Sequence, residues 1–559
     1  MKEKLSSWKL LTILCVIAAL CSVVGIYAGD SALSDGEKVV FRDHEGEMLR
    51  GTIYSKMGNN YGILLLEGFG SDQVTLRSAA NEFVKNGFSV FTFDFSGHGR
   101  SPGGLDFNNA ETDRLAQQSL AAKEEFKRIT QITDDHMIFA GHSLGARVAL
   151  QAATMDDVPP AGIILLGTQV NLSTNLQSEF FTGVSDNTLG WVQDLGPENP
   201  ETNILLISGN WDDILTPAAA EAMFNKLSKA EEEITQRSGN MKDGNSRELI
   251  LLGGLVHNFE VFSPRVLGHA LEWAGELFQM DDGVQISSSA SRRIWLWCSG
   301  FFSLLLGLNS AKRWIPGNSS AAGRHANGVR IRDLKKYLWG KLALWIAAIP
   351  LILLIMGFVF LVPLNKPVFN IYFVGFIGGY GLLMLVLYRF GKMPGISGRL
   401  ERFSEERSPI SCRQMILGFI LGIGVLVLTA AYGRSGWFHI FPVNQRLVWL
   451  VLFVPVTALG FWIGGYENQL VGAFAGGKSI TIRYVTLIGF FPFFLYAFLL
   501  GGLGSISGLI GGLQGLLILW LVFSSGTLMK KIWRRPWFSA IFQAILLYWL
   551  VLPQGVLFR

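Results

Sequence analysis

The chain has 559 residues, of which 50% are hydrophobic and only 16% charged, with a positive mean hydropathy. That composition excludes a purely soluble protein of this length and requires a part that lives in a membrane. The net charge of +4 hides a division: residues 1–290 carry 21 Lys and Arg against 38 Asp and Glu, whereas residues 291–559 carry 26 against 5. The cationic residues of the second half sit in short loops between apolar runs, not on an aromatic-interleaved surface, so the basic charge points to membrane topology and not to nucleic acid.

In chain order, Lys2, Lys4 and Lys9 precede an uncharged apolar stretch from Leu10 to Tyr27. Residues 1–29 therefore read as a signal-anchor helix. Ala28 and Gly29 also suit a cleavage site, but the length favours a retained anchor. Residues 30–290 form the acidic segment, expected to be exported. Its apolar runs Ile63–Leu66, Ser89–Phe93, Met137–Phe139, Ile163–Leu166, Ile204–Ile207 and Leu249–Leu252 are short and mostly without alternation. Strands buried on both faces look like this, and helix-like segments separate them. The expectation is an α/β fold with a mostly parallel sheet and helices on both faces. None of the four cysteines, Cys15, Cys21, Cys298 and Cys412, falls in this segment, so it has no disulfide of its own.

Gly141-His142-Ser143-Leu144-Gly145 lies directly after one predicted strand and before the helix-like Ala146–Gln151. With 64 glycines in the chain the pentapeptide alone says little, and its context carries the reading. A serine on a tight strand-to-helix turn needs small neighbours, which Gly141, Gly145 and Ala146 supply. Glu67-Gly68-Phe69-Gly70 follows an earlier strand, Asp94-Phe95-Ser96-Gly97-His98-Gly99-Arg100-Ser101 the next, and Gly209-Asn210-Trp211-Asp212 and Val256-His257-Asn258 complete the set. Over residues 38–280 the sequence thus resembles the α/β-hydrolase superfamily, in its esterase, monoglyceride-lipase and serine-aminopeptidase-like branch.

A serine hydroxyl needs an imidazole to take its proton and a carboxylate to orient that imidazole. Ser143, Asp212 and His257 suit these roles and occur in the order this fold uses. Asp213 is the alternative acid, with Asp212 preferred from its spacing after Gly209. The resemblance implies an oxyanion hole from the backbone N–H groups of Phe69 and Leu144. Many relatives carry His-Gly where this chain has Glu67-Gly68, so the Glu67 carboxylate either sits beside the developing negative charge or turns away and fixes the loop. His98 and His142 belong to turn motifs and read as structural or substrate-flanking, while His44, His136 and His269 carry no signal. Metal-ligand spacing and phosphate-binding glycine loops are absent from the sequence, and the mechanism needs no cofactor. Between Leu166 and Asn203, Phe180, Phe181, Leu189 and Trp191 suit a small lid, which fits short acyl esters, monoglycerides or peptides equally.

After the seam at Ser287–Arg293, residues 291–559 read as an all-α transmembrane domain of about eight helices, near 294–310, 337–363, 368–388, 414–431, 447–465, 484–503, 505–529 and 537–557. With the N-terminus inside, alternation puts the basic loops 312–336, 389–413 and 530–535 on the cytoplasmic side and the acidic segment outside. Gly375/Gly379, Gly418/Gly422 and Gly508/Gly512 are small-residue pairs for close helix packing. Lys341 and Glu467 are expected at helix ends, snorkelling or at the interface. Short loops and the lack of disulfides favour a bacterial cell membrane. The expected activity is a membrane-anchored serine esterase acting on a lipid-like or small acyl substrate at the bilayer. Alternatives are an amidase, peptidase or acyltransferase with the same triad, or a transporter-like or scaffold protein whose hydrolase domain only binds.

Overall fold

A computed structural model describes residues 7–55, 58–106, 111–167, 190–228, 237–280, 283–314, 329–400, 410–435, 438–474 and 505–559. The acidic segment is built on one nine-stranded sheet in the order β1-β2-β4-β3-β5-β6-β7-β9-β8. Strands β3 (Tyr61–Leu66), β4 (Phe88–Asp94), β5 (Met137–His142), β6 (Gly162–Leu166), β7 (Asn203–Gly209) and β9 (Arg247–Leu252) run parallel. An antiparallel ribbon of β1 (Glu37–Arg42) and β2 (Met48–Tyr54) leads into β4, and the two-residue β8 (Arg237–Ser238) closes the far edge.

The unalternating apolar runs have a direct explanation. Leu64 and Leu66 face one core, against helices Glu111–Thr130, Leu144–Met155 and Pro217–Leu227; Ile63 and Leu65 face the other, against Arg77–Lys85 and Pro264–Leu277. The central parallel strands β3, β5, β6 and β7 are buried on both faces, which favours apolar residues along their whole length, whereas edge strand β1 alternates buried and exposed positions. The chain leaves β3 for the outer β4 and returns to β5 on the other side of β3. That reversal opens a crevice at the carboxyl ends of β3 and β5, the place where open α/β sheets hold their ligands. This topology is the α/β-hydrolase fold, as expected.

Among the described residues, six helices, one at the N-terminus and five in the second half, are long and apolar enough to cross a membrane: Ser7–Gly29, Ser288–Arg313, Val368–Phe390, Cys412–Arg434, Gln445–Phe474 and Ile506–Trp533. The expected span at 337–363 is broken: Leu334–Ala347 and Ile349–Phe360 meet at a 41° bend, with Pro350 in the first turn of the second piece. The expected span at 484–503 lies outside the described residues. The last helix is short, Pro536–Val551, and the chain beyond it leaves the bundle to pair Phe558 with Leu105 and Lys366. The pairs Gly375/Gly379 and Gly418/Gly422 pack closely. A Cβ on Gly375 or Gly379 would come within 3.1 Å of Ile352, and one on Gly422 within 3.2 Å of Phe542.

Lys341 and Glu467 depart from their expected interfacial placement. Lys341 Nζ meets Glu467 Oε2 at 2.9 Å with both side chains buried, and Tyr388 donates to Glu467 Oε1 at 3.1 Å. Neither helix could bury its charge alone. The ion pair and the phenol let both be buried together.

The two halves share a polar joint. Asp30 binds Arg77 at 3.0 Å and also Arg293, at the start of helix Ser288–Trp314. Asp72 Oδ2 accepts from His439 N at 2.7 Å, and Asn444 Nδ2 donates to Arg100 O at 3.0 Å. Arg446, fully buried, donates to the carbonyls of Gly97, Gly99, Leu552 and Gly555 at 2.7–3.2 Å. Its guanidinium fork therefore ties a turn of the sheet half to the C-terminal tail.

Candidate active site

Ser143 sits between β5 and helix Leu144–Met155 with φ 56° and ψ −117°, a positive φ that a side chain adopts only where the surroundings force it. The forcing groups are visible. A Cβ on Gly141 would run into the carbonyl of Gly145 and stand 2.5 Å from Ala146 N; one on Gly145 would strike Leu66 O and stand 2.6 Å from Glu67 O. Only glycine lets the turn close that tightly against β3. Ser143 N donates to Leu166 O at 2.9 Å, which pins the turn to the end of β6.

His257 opens a short 3-10 segment after β9, and its Nδ1 lies 2.7 Å from Asp212 Oδ2. Asp212 Oδ1 accepts from Ile214 N and Leu215 N at 2.9 and 2.7 Å, so the turn after β7 fixes the carboxylate. Asp213 points elsewhere: both its oxygens accept from Ser507 N, at 3.1–3.2 Å, and Oδ1 takes Ser507 Oγ at 2.5 Å, in the membrane half. Among the described residues the Ser143 hydroxyl makes no hydrogen bond to His257; the Gly167 backbone lies close to the imidazole, and a Cβ there would stand 3.0 Å from the His257 ring. Ser143, Asp212 and His257 are all buried at this one edge.

A second carboxylate, which the sequence reading did not single out, faces the same imidazole. Glu260 Oε2 is 3.7 Å from His257 Nδ1 and 3.4 Å from His142 Nε2, while its Oε1 accepts from Gly209 N at 2.7 Å. Burial alone would lower the His257 pKa. The Asp212 hydrogen bond and charge, then the Glu260 charge, outweigh that and leave it above the ordinary value. The ligand atoms of His142, His257 and Glu260 lie within 4.8 Å of one another, close enough to hold a metal ion. No spacing in the sequence announced that convergence, although Glu260 stands one short turn after His257. His142 stacks on His257 with centroids 4.8 Å apart and places Nε2 3.1 Å from His257 O.

The Phe69 and Leu144 N–H groups donate to no group among the described residues. The neighbouring Gly70 N donates to His98 Nε2 at 3.3 Å, and His98 Nδ1 faces Ser96 O at 3.3 Å. Burial pushes the His98 pKa down to about 3, so the ring is neutral and can accept. Glu67 turns away from the serine: Oε1 accepts from Phe95 N at 2.9 Å inside the protein. Burial, with the Asp94 and Asp72 charges, pushes its carboxyl well above the ordinary range, which favours the uncharged acid.

The membrane half reaches this edge. The Phe69 ring packs edge-on against Phe369 with centroids 5.8 Å apart and lies 6.2 Å from Phe558. Phe69 and Trp211, the latter next to Asp212 in the sequence, are 46% and 57% exposed. Of the expected lid residues, Trp191 is described, half-buried against the core with Arg147 over its ring at 5.9 Å; Phe180, Phe181 and Leu189 lie outside the described residues.

An α/β-hydrolase sheet carrying a serine elbow defines the class of this half. Residues 60–199 match the family model described as serine aminopeptidase, S33. Among solved structures, the α/β hydrolase GrgF from Penicillium sp. sh18 is 16% identical, covering 44% of this chain and 99% of its own, with a TM-score of 0.34. A thermophilic esterase from Thermogutta terrifontis is 18% identical, over 43% and 99%, with a TM-score of 0.31. A membrane phospholipase A described as a bacterial virulence factor is 14% identical, over 48% and 94%, with a TM-score of 0.34. No curated protein matches the chain.

Proposed function

We propose that the protein is a membrane-anchored serine hydrolase that cleaves carboxylic esters, lipid-like or small, through an acyl-serine intermediate. The observation that carries this reading is the 2.7 Å bond from buried Asp212 to His257 Nδ1, beside a serine held at positive φ. In the first half-reaction Ser143 Oγ attacks the ester carbonyl carbon and its proton passes to His257 Nε2. The N–H groups of Phe69 and Leu144 stabilise the oxyanion. Collapse breaks the C–O bond, and the leaving alcohol takes the proton from His257. Water then attacks the acyl-serine with His257 as base, releasing the carboxylic acid and restoring Ser143.

The preference for a lipid-like ester is supported by exposed Phe69, packed against Phe369, and by exposed Trp211, two residues before Asp213, which binds Ser507 in the membrane half. Charge asymmetry supports a topology with the N-terminus inside and the sheet half on the extracytoplasmic face. The serine-aminopeptidase description of the matching family favours an amide substrate as the second reading, with the same triad. The test is fluorophosphonate labelling of the full chain in membranes. Wild type should label and Ser143→Ala should not; a folded wild type that fails to label overturns the hydrolase reading in favour of a binding module. An ester and amide panel then separates the two substrate classes.

A further inference from the structure

At the end of the helices remote from the sheet half, a cavity of about 500 Å³ opens between helices Ser7–Gly29, Ser288–Trp314 and Ile506–Trp533. Trp8, Leu306, Asn309, Lys312, Arg313 and Lys531 line it. Its charges are all of one sign. Lys312 Nζ donates to Asn309 Oδ1 at 2.9 Å, Lys531 Nζ donates to the Lys312 carbonyl, and the Lys531 charge acts directly on Lys312. Arg313 lies over the Trp8 ring, 4.0 Å from its centroid. Among the described residues no carboxylate pairs with Lys312, Arg313 or Lys531.

Three cations converging without a counter-charge repel one another, and partial burial weakens the screening that water gives. A cluster spread only to set topology would point its lysines outward into solvent. Here each lysine commits one of its three donors, to Asn309 or to a backbone carbonyl, around one hollow. The apolar wall, Leu306 and the Trp8 ring beneath Arg313, is open: Trp8 and Leu306 are 39% and 51% exposed. An anionic group in the hollow, with a hydrocarbon chain lying along Leu306, satisfies both walls. Basic pockets between helix ends bind lipid headgroups by this chemistry.

We propose that this cavity binds the phosphate of an anionic lipid headgroup, contributed by the leaflet remote from the sheet half. Binding neutralises the Lys312–Arg313–Lys531 cluster and clamps the N-terminal helix to helices Ser288–Trp314 and Ile506–Trp533. The proposal is independent of the hydrolase chemistry.

The test is thermal unfolding of the purified full chain in neutral detergent, with added dioleoylphosphatidylglycerol, dioleoylphosphatidylcholine or inorganic phosphate. Phosphatidylglycerol should raise Tm by about 4 °C, phosphatidylcholine by much less, and phosphate at equal concentration by less than the anionic lipid. Lys312→Gln with Lys531→Gln should lose the phosphatidylglycerol response, while Lys335→Gln with Lys336→Gln, outside the cavity, should keep it. If the first pair does not fold, Asn309→Asp decides: a carboxylate supplied in place should raise the Tm of lipid-free protein and abolish the lipid response. Equal responses to both lipids, or a response that survives in Asn309→Asp, would overturn the proposal. A phosphate response as large as that of the lipid would overturn the lipid as source.

Discussion

Glu260 Oε2 lies 3.7 Å from His257 Nδ1, the nitrogen that Asp212 Oδ2 already holds at 2.7 Å. Two buried carboxylates thus face one imidazole, and the imidazole is a stronger base for it. A base must be neutral to accept the Ser143 proton, so activity should fall as pH drops through the His257 value, which lies above the ordinary 6.5. Glu260→Gln keeps an acceptor for Gly209 N and removes the charge. Its acid limb should move to lower pH in a pH profile of ester hydrolysis. A limb that stays in place would show that the Glu260 charge does not reach the base.

The two adjacent acids should separate cleanly. Asp212→Asn leaves the imidazole without its carboxylate and should lower kcat by roughly 10⁴-fold. Asp213→Asn should leave the rate within a few-fold, because Asp213 spends its oxygens on Ser507. Its loss should appear instead as a lower Tm of the full chain. Comparable rate losses in both variants would contradict the assignment.

Gly145→Ala places a methyl group against Leu66 O and Glu67 O, neither of which is a flexible side-chain end. Overpacking of this kind costs about 1–3 kcal/mol. We expect a lower Tm together with lost fluorophosphonate labelling, since the same shift moves Ser143 off its turn. Full labelling in a stable Gly145→Ala protein would show that the elbow relaxes.

Arg446→Met should loosen the joint. The carbonyls of Gly99 and Gly555 lose the Arg446 donor, whereas Gly97 O and Leu552 O keep bonds from Leu557 N and Gly555 N, and each buried acceptor left unpaired costs about 1–3 kcal/mol. Arg446→Lys should recover little, because one ammonium cannot reach all four. Limited proteolysis at the tail after Val551, followed with Tm, checks this; a wild-type cleavage pattern in Arg446→Met would argue against it.

Asp72 gives the joint a pH dependence. Burial, then the Asp94 charge, pushes its carboxyl from the ordinary 3.8 up to about 7, despite N–H bonds from His439, Val74 and Thr75. A raised carboxyl favours the fold while protonated. That contribution is complete below pH 3.8 and is lost as pH rises through about 7. Tm of the full chain should therefore decline over this window, and more shallowly in Asp72→Asn. Identical slopes would remove Asp72 as the source.

Much of the acidic half was legible because its signals are local. Ile63–Leu66 and Ile204–Ile207 lack alternation because each residue has a helix on its own side of the sheet, and that requirement is written into every position. The glycines around Ser143 are legible for the same kind of reason: the turn excludes a Cβ at Gly141 and Gly145 whatever the rest of the chain does. Hydropathy likewise exposed the membrane helices, but not the bend at Ala348, where one proline in an otherwise unbroken apolar run decides between a span and two pieces.

The sequence by itself determined the two-part character of the chain, the α/β-hydrolase fold and the candidate residues Ser143, Asp212 and His257, because burial pattern and backbone sterics act over a few neighbouring residues. Only the tertiary structure decided which acid meets the imidazole, that Glu260 joins it, that Lys341 and Glu467 are buried as a pair, and that Arg446 and Phe558 from the membrane half close on the turns around the serine. Those relationships join groups far apart in the chain. Their energies depend on distance and on exclusion from water, and neither exists until the chain has folded.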